Sequence, residues 1–540
     1  MNHRFGIKAL LGVSIAAALS FSVHAAPPAV PGGAHFNTSS LQEGGRYDRF
    51  IVTYRDGTTE RTQHAAMEQN INAAIGRAGL YRATVDARGV RHGPLTARYQ
   101  RTLAIGADLV RTSRKLNRAE AASLIQQIAA DPAVASVAPD VLRRPVRDVA
   151  APAALQPATF TPNDTYYAAY QWNLKAPDGT VTFFGDANLG GTRVNDAWDL
   201  ADGSGSVIAV LDTGITTHVD VDTSLAADGY DFITDALVSG RATDGRVPGG
   251  WDTGDWTTEE PWLSECTDAN NPPEDSSWHG THVASTAGAE LTNNARGMAG
   301  IAYNAKVLPV RVLGHCGGYD SDISDAMVWA AGGHVAGVPD NSHPAEVINL
   351  SLGGSGKCKD SDPLALATKR ANALGAVVVV AAGNSNANAA KFSPASCAGV
   401  ITVAATGITS RRAFYSNYGK TVELAAPGGG VYANDASSGT VSYDGFIWQA
   451  LNSGLTTPVP NDTTYGGYAG TSQATPHVAG TVALMQSARR ALGLRALTPK
   501  QVRGILQRTA YTPTITPPRN RRIGAGILDA SAAVQAAIDD

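Results

Sequence analysis

Gly470-Thr471-Ser472-Gln473-Ala474-Thr475-Pro476-His477-Val478-Ala479-Gly480 decides how the rest of the chain is read. A Gly-Thr pair sets a serine on a tight turn, and an apolar run of helical spacing begins at once. Val478, Val482 and Met485 fall at i, i+4 and i+7, with the small residues Ala479, Gly480 and Ala483 between them. Pro476 reads as part of the first turn, where its missing N–H is one a helix leaves unbonded anyway. Ser472 then sits at or beside a helix N-terminus, where free N–H groups and the dipole favour a developing negative charge. That suits a nucleophile. Taken alone, it suits a serine that merely caps a buried helix at least as well.

Three other stretches turn the balance. The apolar run 206–211 ends in Asp212-Thr213-Gly214, placing a carboxylate where a buried strand stops. His279-Gly280-Thr281-His282-Val283-Ala284 opens a second helix of small residues, and the apolar run 376–382 ends in Gly383-Asn384-Ser385. A serine hydroxyl needs a base to take its proton, and an imidazole titrates near neutral pH. His279 is the candidate base, and Asp212 the acceptor that would hold its tautomer. His282 lies three residues on, but Gly280 stands where a zinc-peptidase helix needs Glu, so His282 reads as structural. The motifs, in the order Asp, His, Asn, Ser, resemble the subtilisin-like serine proteases (subtilases), and the resemblance runs from about Asn163 to the end of the chain. It implies an Asp212-His279-Ser472 triad, with the Asn384 amide and the Ser472 N–H binding the oxyanion. It also makes Asn349-Leu350-Ser351-Leu352-Gly353-Gly354 one wall of the substrate cleft, through Ser351, Leu352 and Gly353. Gly317 and Gly318 form the opposite edge, so that a protein or peptide substrate is held extended, chiefly by its backbone. Gln473 departs from the family, where many members carry Met, and bears on packing near the cleft.

The bulk numbers fit an exported, globular chain. Its 540 residues are 43% hydrophobic and 17% charged, and a net charge of −4 gives no reason to expect nucleic acid as a partner. Residues 1–25 read as a signal peptide: Arg4 and Lys8, an apolar core over 9–23, and a small-residue cleavage site at Val23-His24-Ala25. No other stretch approaches the roughly 20 apolar residues of a membrane span. Secretion without a membrane anchor is expected, as a monomer. All four cysteines, Cys266, Cys316, Cys358 and Cys397, lie in the protease-like part; an even count in an exported chain favours two disulfides, with three pairings open. The family topology implies Cys266–Cys316 and Cys358–Cys397.

Residues 26–150 form a separate unit. Phe50-Ile51-Val52-Thr53-Tyr54 reads as a strand, Asn117 with Glu120 as the capping box of a helix through Ala130, and 134–140 as a further strand. This unit resembles the inhibitory propeptide of subtilases, a small α+β domain that also assists folding and would be the enzyme's own partner. It carries 17 basic against 11 acidic residues, a formal +6, whereas 151–540 carries 24 against 36, a formal −12. The stretch 145–161 is rich in Ala and Pro, and the processing site is expected in a linker at 151–162. From 163 to 540, strands expected at 206–211, 306–313, 346–351, 376–382, 399–405 and 421–426 alternate with helical patterns such as 322–337 and 363–374. Continuous apolar runs mean strands buried on both faces, hence an α/β, doubly wound, mostly parallel sheet with helices on each side. The site then lies beyond the C-terminal strand ends, where Asp212 and Asn384 fall. Family resemblance also implies structural Ca²⁺ bound by Asp220 and Asn294, and no organic cofactor. Two other readings compete. A serine esterase of the α/β-hydrolase type would show Gly-x-Ser-x-Gly, which Gly470-Thr471-Ser472-Gln473-Ala474 does not; a binding protein that kept only the fold would usually have lost one of the four site residues.

Overall fold

The computed structural model describes residues 33–81, 84–85, 91–92, 94–146, 149–151, 162–180, 182–183, 185–269, 271–442 and 445–540, with 84–85, 91–92, 149–151 and 182–183 given as backbone only. The expected signal segment 1–25 and all but the ends of the expected linker 151–162 lie outside these residues.

The N-terminal domain is a five-stranded sheet, antiparallel except for the short edge strand His35–Phe36, with two helices on one face. Its elements are β1 (Tyr47–Tyr54), α1 (His64–Arg77), β2 (Ala97–Thr102), β3 (Asp108–Leu116), α2 (Arg118–Ala129) and β4 (Val134–Pro139). β1 lies between β3 and β4, and β2 flanks β3. Phe50, Val52 and Val110 point toward Met67, Ile71 and Ile75 of α1 and Leu124, Ile125 and Ile128 of α2, forming one buried cluster. The capping box at Asn117 and Glu120 forms as expected. Helix α1 and strands β2 and β3 were not anticipated. Gln63 gives α1 no side-chain cap, so nothing at its start signals a helix.

A strand from this domain, β5 (Leu142–Pro145), leads into the larger domain. There the central sheet contains β6 (Val207–Asp212), β7 (Tyr230–Asp231), β8 (Lys306–Arg311), β10 (Val347–Leu350), β12 (Val377–Ala381), β13 (Ile401–Thr406) and β14 (Leu424–Pro427). Between them in the chain come α3 (His279–Ala284), β9 (Gly318–Tyr319), α4 (Asp320–Ala330), β11 (Leu352–Ser355) and α5 (Pro363–Ala373). After them come β15 (Tyr465–Ala469), α6 (Thr471–Ala491), α7 (Pro499–Thr509) and α8 (Ala530–Asp539). The sheet order is Val247–Pro248, β7, β8, β6, β10, β12, β13, β14, and every pairing but the first is parallel. Side-chain alternation divides each strand between two layers. Ile208 and Val210 pack with Val478, Val482 and Met485 of α6. Ala209 and Leu211 pack with Ile323 and Met327 of α4 and Leu364 of α5. Both faces are therefore buried, which is why the strands read as unbroken apolar runs; each fully buried aliphatic side chain stabilises by roughly 1.5–3 kcal/mol.

Two expectations need correction. The helix read at 322–337 is α4, beginning at Asp320 and ending at Ala330. Gly332 takes a left-handed φ of 86° there, and its N–H and that of Gly333 close the last turn on Trp329 and Val328 carbonyls. Pro476 is the sixth residue of α6, so it falls in the second turn rather than the first. Both disulfides form as the family topology implies: Cys266–Cys316 with a Cα separation of 4.9 Å, and Cys358–Cys397 with 5.0 Å. Among the described residues, no helix is long and apolar enough to cross a membrane.

Candidate active site

Asp212 ends the central strand β6 fully buried, and His279 is the first residue of α3. The two meet, with His279 Nδ1 2.7 Å from Asp212 Oδ1. The Nδ1–Oδ1 contact assigns the ring proton to Nδ1, the donor toward the Asp212 oxygen, and leaves Nε2 as the basic nitrogen. The turn before α3 is held from several sides. Trp278 takes a left-handed φ of 50°, and its indole N–H donates to the Gly454 carbonyl at 2.7 Å. Ser277 Oγ donates to Asp255 (2.8 Å) and accepts the His279 N–H (3.3 Å). The sequence reading missed Asp255 and Ser277; nothing in their spacing from His279 marks a contact that only the folded loop makes.

Ser472 is the second residue of α6 and wholly buried. Its Oγ lies 3.3 Å from the carbonyl oxygen of Val146 and 3.2 Å from that of Ser351. Pro476 has no N–H to give the Ser472 carbonyl, which would be its partner four residues back. Ser351 Oγ donates to that carbonyl instead, at 2.8 Å. The missing helical bond thus ties the start of α6 to the cleft wall. Asn384 follows β12, and its Oδ1 accepts both the N–H (2.9 Å) and hydroxyl (2.8 Å) of Thr471. Two donors on one atom fix which end of the amide is oxygen, and leave the NH₂ end as its donor. Asn384, His279, Gly353, Gly383 and Val146 line one cavity of about 530 Å³.

The chain itself crosses this cleft. β5 lies antiparallel between β9 and β11, with Arg143 opposite Gly318, Leu142 opposite Tyr319, Pro145 opposite Leu352 and Arg144 opposite Gly353. The Val146 N–H donates to the Ser351 carbonyl at 3.4 Å. Gly317 has φ 99°, and a Cβ there would stand 2.2 Å from the Arg143 carbonyl, so only glycine admits the strand this close. Further on, Val149–Ala151 pairs antiparallel with β15. Ser351, Leu352, Gly353, Gly317 and Gly318 all come together here, around this strand. The carbonyl beside Ser472 is Val146's, inside the Ala/Pro-rich stretch but ahead of the expected processing linker at 151–162.

His282 lies buried in the core. Its Nε2 lies 3.1 Å and 3.2 Å from the Ile447 and Gly466 carbonyls, and burial pushes its pKa down to about 3, so it is a neutral donor in the core. Gln473 is fully buried, with no hydrogen-bonding partner for either amide atom among the described residues.

The expected calcium ligands are neighbours. Asn294 Nδ2 donates to Asp220 Oδ1, and Asp220 Oδ2 accepts from the Tyr465 hydroxyl at 2.9 Å and the Met298 N–H at 3.3 Å. Asp164, which the sequence did not single out, accepts the N–H groups of Asn293 (2.9 Å) and Asn294 (3.3 Å). Burial pushes the Asp164, Asp220 and Glu290 carboxyls up despite their hydrogen bonds, Asp164 to about 6, and the Asp220 charge adds to the rise at Asp164 and Glu290. Among the described residues, no three His, Cys, Asp or Glu side chains converge as metal ligands. The donors are nonetheless hard oxygens from crowded carboxylates and an amide, with no sulfur or imidazole among them, a set that fits Ca²⁺ and not zinc.

Known proteins resemble this chain in sequence and fold. The family model described as "Subtilase family" matches residues 203–526. The chain is 42% identical over 539 residues, 100% of its length and 80% of the relative's, to an "Extracellular protease" of Xanthomonas campestris pv. campestris. It is 38% identical, over 91% of its length and 71% of the relative's, to an "Extracellular basic protease" of Dichelobacter nodosus. Among solved structures, a protease from Pseudoalteromonas arctica PAMC 21717 aligns with 43% identity and a TM-score of 0.61, covering 70% of this chain and 100% of that one. Fervidolysin from Fervidobacterium pennivorans shares the fold at 21% identity and a TM-score of 0.57, over 93% of this chain and 63% of that one. The chain belongs to the subtilase family and is a subtilisin-like serine protease.

Proposed function

We propose that the protein is a secreted serine endopeptidase, made as a precursor whose N-terminal domain inhibits it and is released by its own active site. The observation that carries this reading is the Val146 carbonyl 3.3 Å from Ser472 Oγ, at the end of a strand paired with both walls of the cleft. Ser472 Oγ attacks the carbonyl carbon while His279 Nε2 takes its proton and Asp212 stabilises the imidazolium. The Asn384 NH₂ and the Ser472 N–H bind the oxyanion, charge that exists only once the bond to Oγ has formed. His279 then gives its proton to the leaving amine, which departs and leaves the acyl group on Ser472. Water, deprotonated by the same imidazole, releases it. In the precursor this cuts Val146–Arg147, inside the Ala/Pro-rich stretch 145–161. Asp220 and Asn294, with Asp164, would hold a Ca²⁺ whose contribution is to stability and not to any chemical step. Extracellular relatives, together with the N-terminal signal pattern, support export; a monomer is expected.

The test is to treat the processed protein with a serine-directed phosphonate and to sequence its new N-terminus. An adduct on Ser472 and an N-terminus at Arg147 are expected. Failure to label Ser472 in the processed protein would leave a binding protein of subtilase fold as the better reading.

A further inference from the structure

The strand lying in the cleft carries a charge into the protease body. Arg143 is only 4% exposed, and its Nε and Nη2 donate to Asp320 Oδ1 and Oδ2 at 2.7 and 2.8 Å. Its Nη1 reaches the Ser355 and Ser393 carbonyls at 3.3 and 3.5 Å. Asp320 opens α4 and is itself 4% exposed. All these acceptors belong to the protease domain. Arg144, next in the strand, is half-buried and gives one N–H to the Cys266 carbonyl. The sequence reading assigned the cleft a recognition chiefly by the backbone, and nothing in it pointed to Asp320.

We propose that Asp320 forms a specificity pocket that selects arginine at the fourth residue before the cut bond, in substrates as well as in the precursor. The inference rests on the register proposed above, with Val146 first before the cut and Arg143 fourth. A planar guanidinium meets a carboxylate with two parallel bonds, which lysine cannot match and leucine cannot make. Leucine would also leave a carboxylate facing methyl groups, the costly kind of mismatch. The discrimination is limited by water: Asn37, Ser40, Ala138 and Pro139 of the N-terminal domain help close this pocket, so Asp320 rehydrates partly once that domain has left. An arginine preference on the order of 10- to 100-fold in kcat/KM follows, below the limit for a sealed site.

The experiment uses enzyme processed from the full chain and quenched-fluorescent peptides spanning Leu142–Asp148, with Arg, Lys or Leu at position 143. Cleavage after the valine is checked by mass. Arg is expected to exceed Leu by about 10-fold or more, with Lys between them. In Asp320→Asn the Arg/Leu ratio should fall to within about threefold of one. If that variant fails to fold because Arg143 is stranded, the double variant Arg143→Met/Asp320→Asn removes both charges and supplies the enzyme for the same ratio. Equal cleavage of the Arg and Leu peptides by the unsubstituted enzyme, or cutting at another bond, overturns the pocket while leaving the protease standing. No cleavage of any peptide or of casein, with no phosphonate adduct on Ser472, overturns the protease reading and the pocket together.

Discussion

Pro476 and Ser351 form a pair that a double-mutant cycle can isolate. The Ser472 carbonyl is buried at the start of α6, lacks its helical donor because residue 476 is proline, and is satisfied by Ser351 Oγ at 2.8 Å. Ser351→Ala leaves that carbonyl without a partner, and also removes the acceptor of the Asn349 Nδ2 bond at 3.0 Å. A buried acceptor stranded in this way costs roughly 1–3 kcal/mol. Pro476→Ala returns an N–H to position 476, which can reach the Ser472 carbonyl as an ordinary helical bond. In that background Ser351→Ala loses only the Asn349 contact. The stability cost of Ser351→Ala should therefore shrink by about 1 kcal/mol or more when alanine stands at 476. Guanidinium titrations of the four chains, all carrying Ser472→Ala to prevent self-digestion, give the coupling from midpoints and slopes. Costs that add to within about 0.3 kcal/mol would show that the hydroxyl does not replace the missing helical bond.

Four further outcomes are expected. The Ser472→Ala chain in a protease-free host should accumulate as a folded precursor; normal processing would remove self-cleavage. The +6 domain added in trans should inhibit the −12 enzyme with a constant that rises at least severalfold between about 0.05 and 0.5 M salt, because Arg101 with Asp322 and Asp325 is one of its docking pairs; salt-independent inhibition would remove the steering argument. Chelation should shorten the half-life of the mature enzyme at elevated temperature severalfold without changing initial turnover, since Asp220 and Asn294 do not line the cleft cavity; an unchanged half-life would argue against the ion. Burial pushes the Asp435 carboxyl up from 3.8 to about 6, so its contribution to stability is full below the unfolded value and is lost as pH rises through about 6. Asp435→Asn does not titrate, and its stability relative to the parent should improve between pH 4.5 and 8 by about 2 kcal/mol; an unchanged difference, measured in the Ser472→Ala chain, would contradict this.

The sequence by itself determined what depends on short stretches of chain. Unbroken apolar runs such as 376–382 fix strands buried on both faces, and the turns after them carry Asp212 and Asn384 to one edge of the sheet. The Asn117 capping box is equally local and formed as read. Helix boundaries were less legible where a distant contact settles them. Pro476 reads locally as a first-turn residue; that it sits one turn further in is possible because Ser351, from another strand, covers the Ser472 carbonyl it leaves unpaired. Helix α1 escaped notice because its start has no cap and its hold comes from packing on β1 and α2. Only the tertiary structure decided which segment lies in the cleft and what meets it. Arg143 and Asp320 are 177 residues apart, and neither differs in sequence from an ordinary surface charge. They form a buried pair because docking a strand between two glycine-containing edges takes both out of water at once, and a charge enclosed in that way must find its opposite.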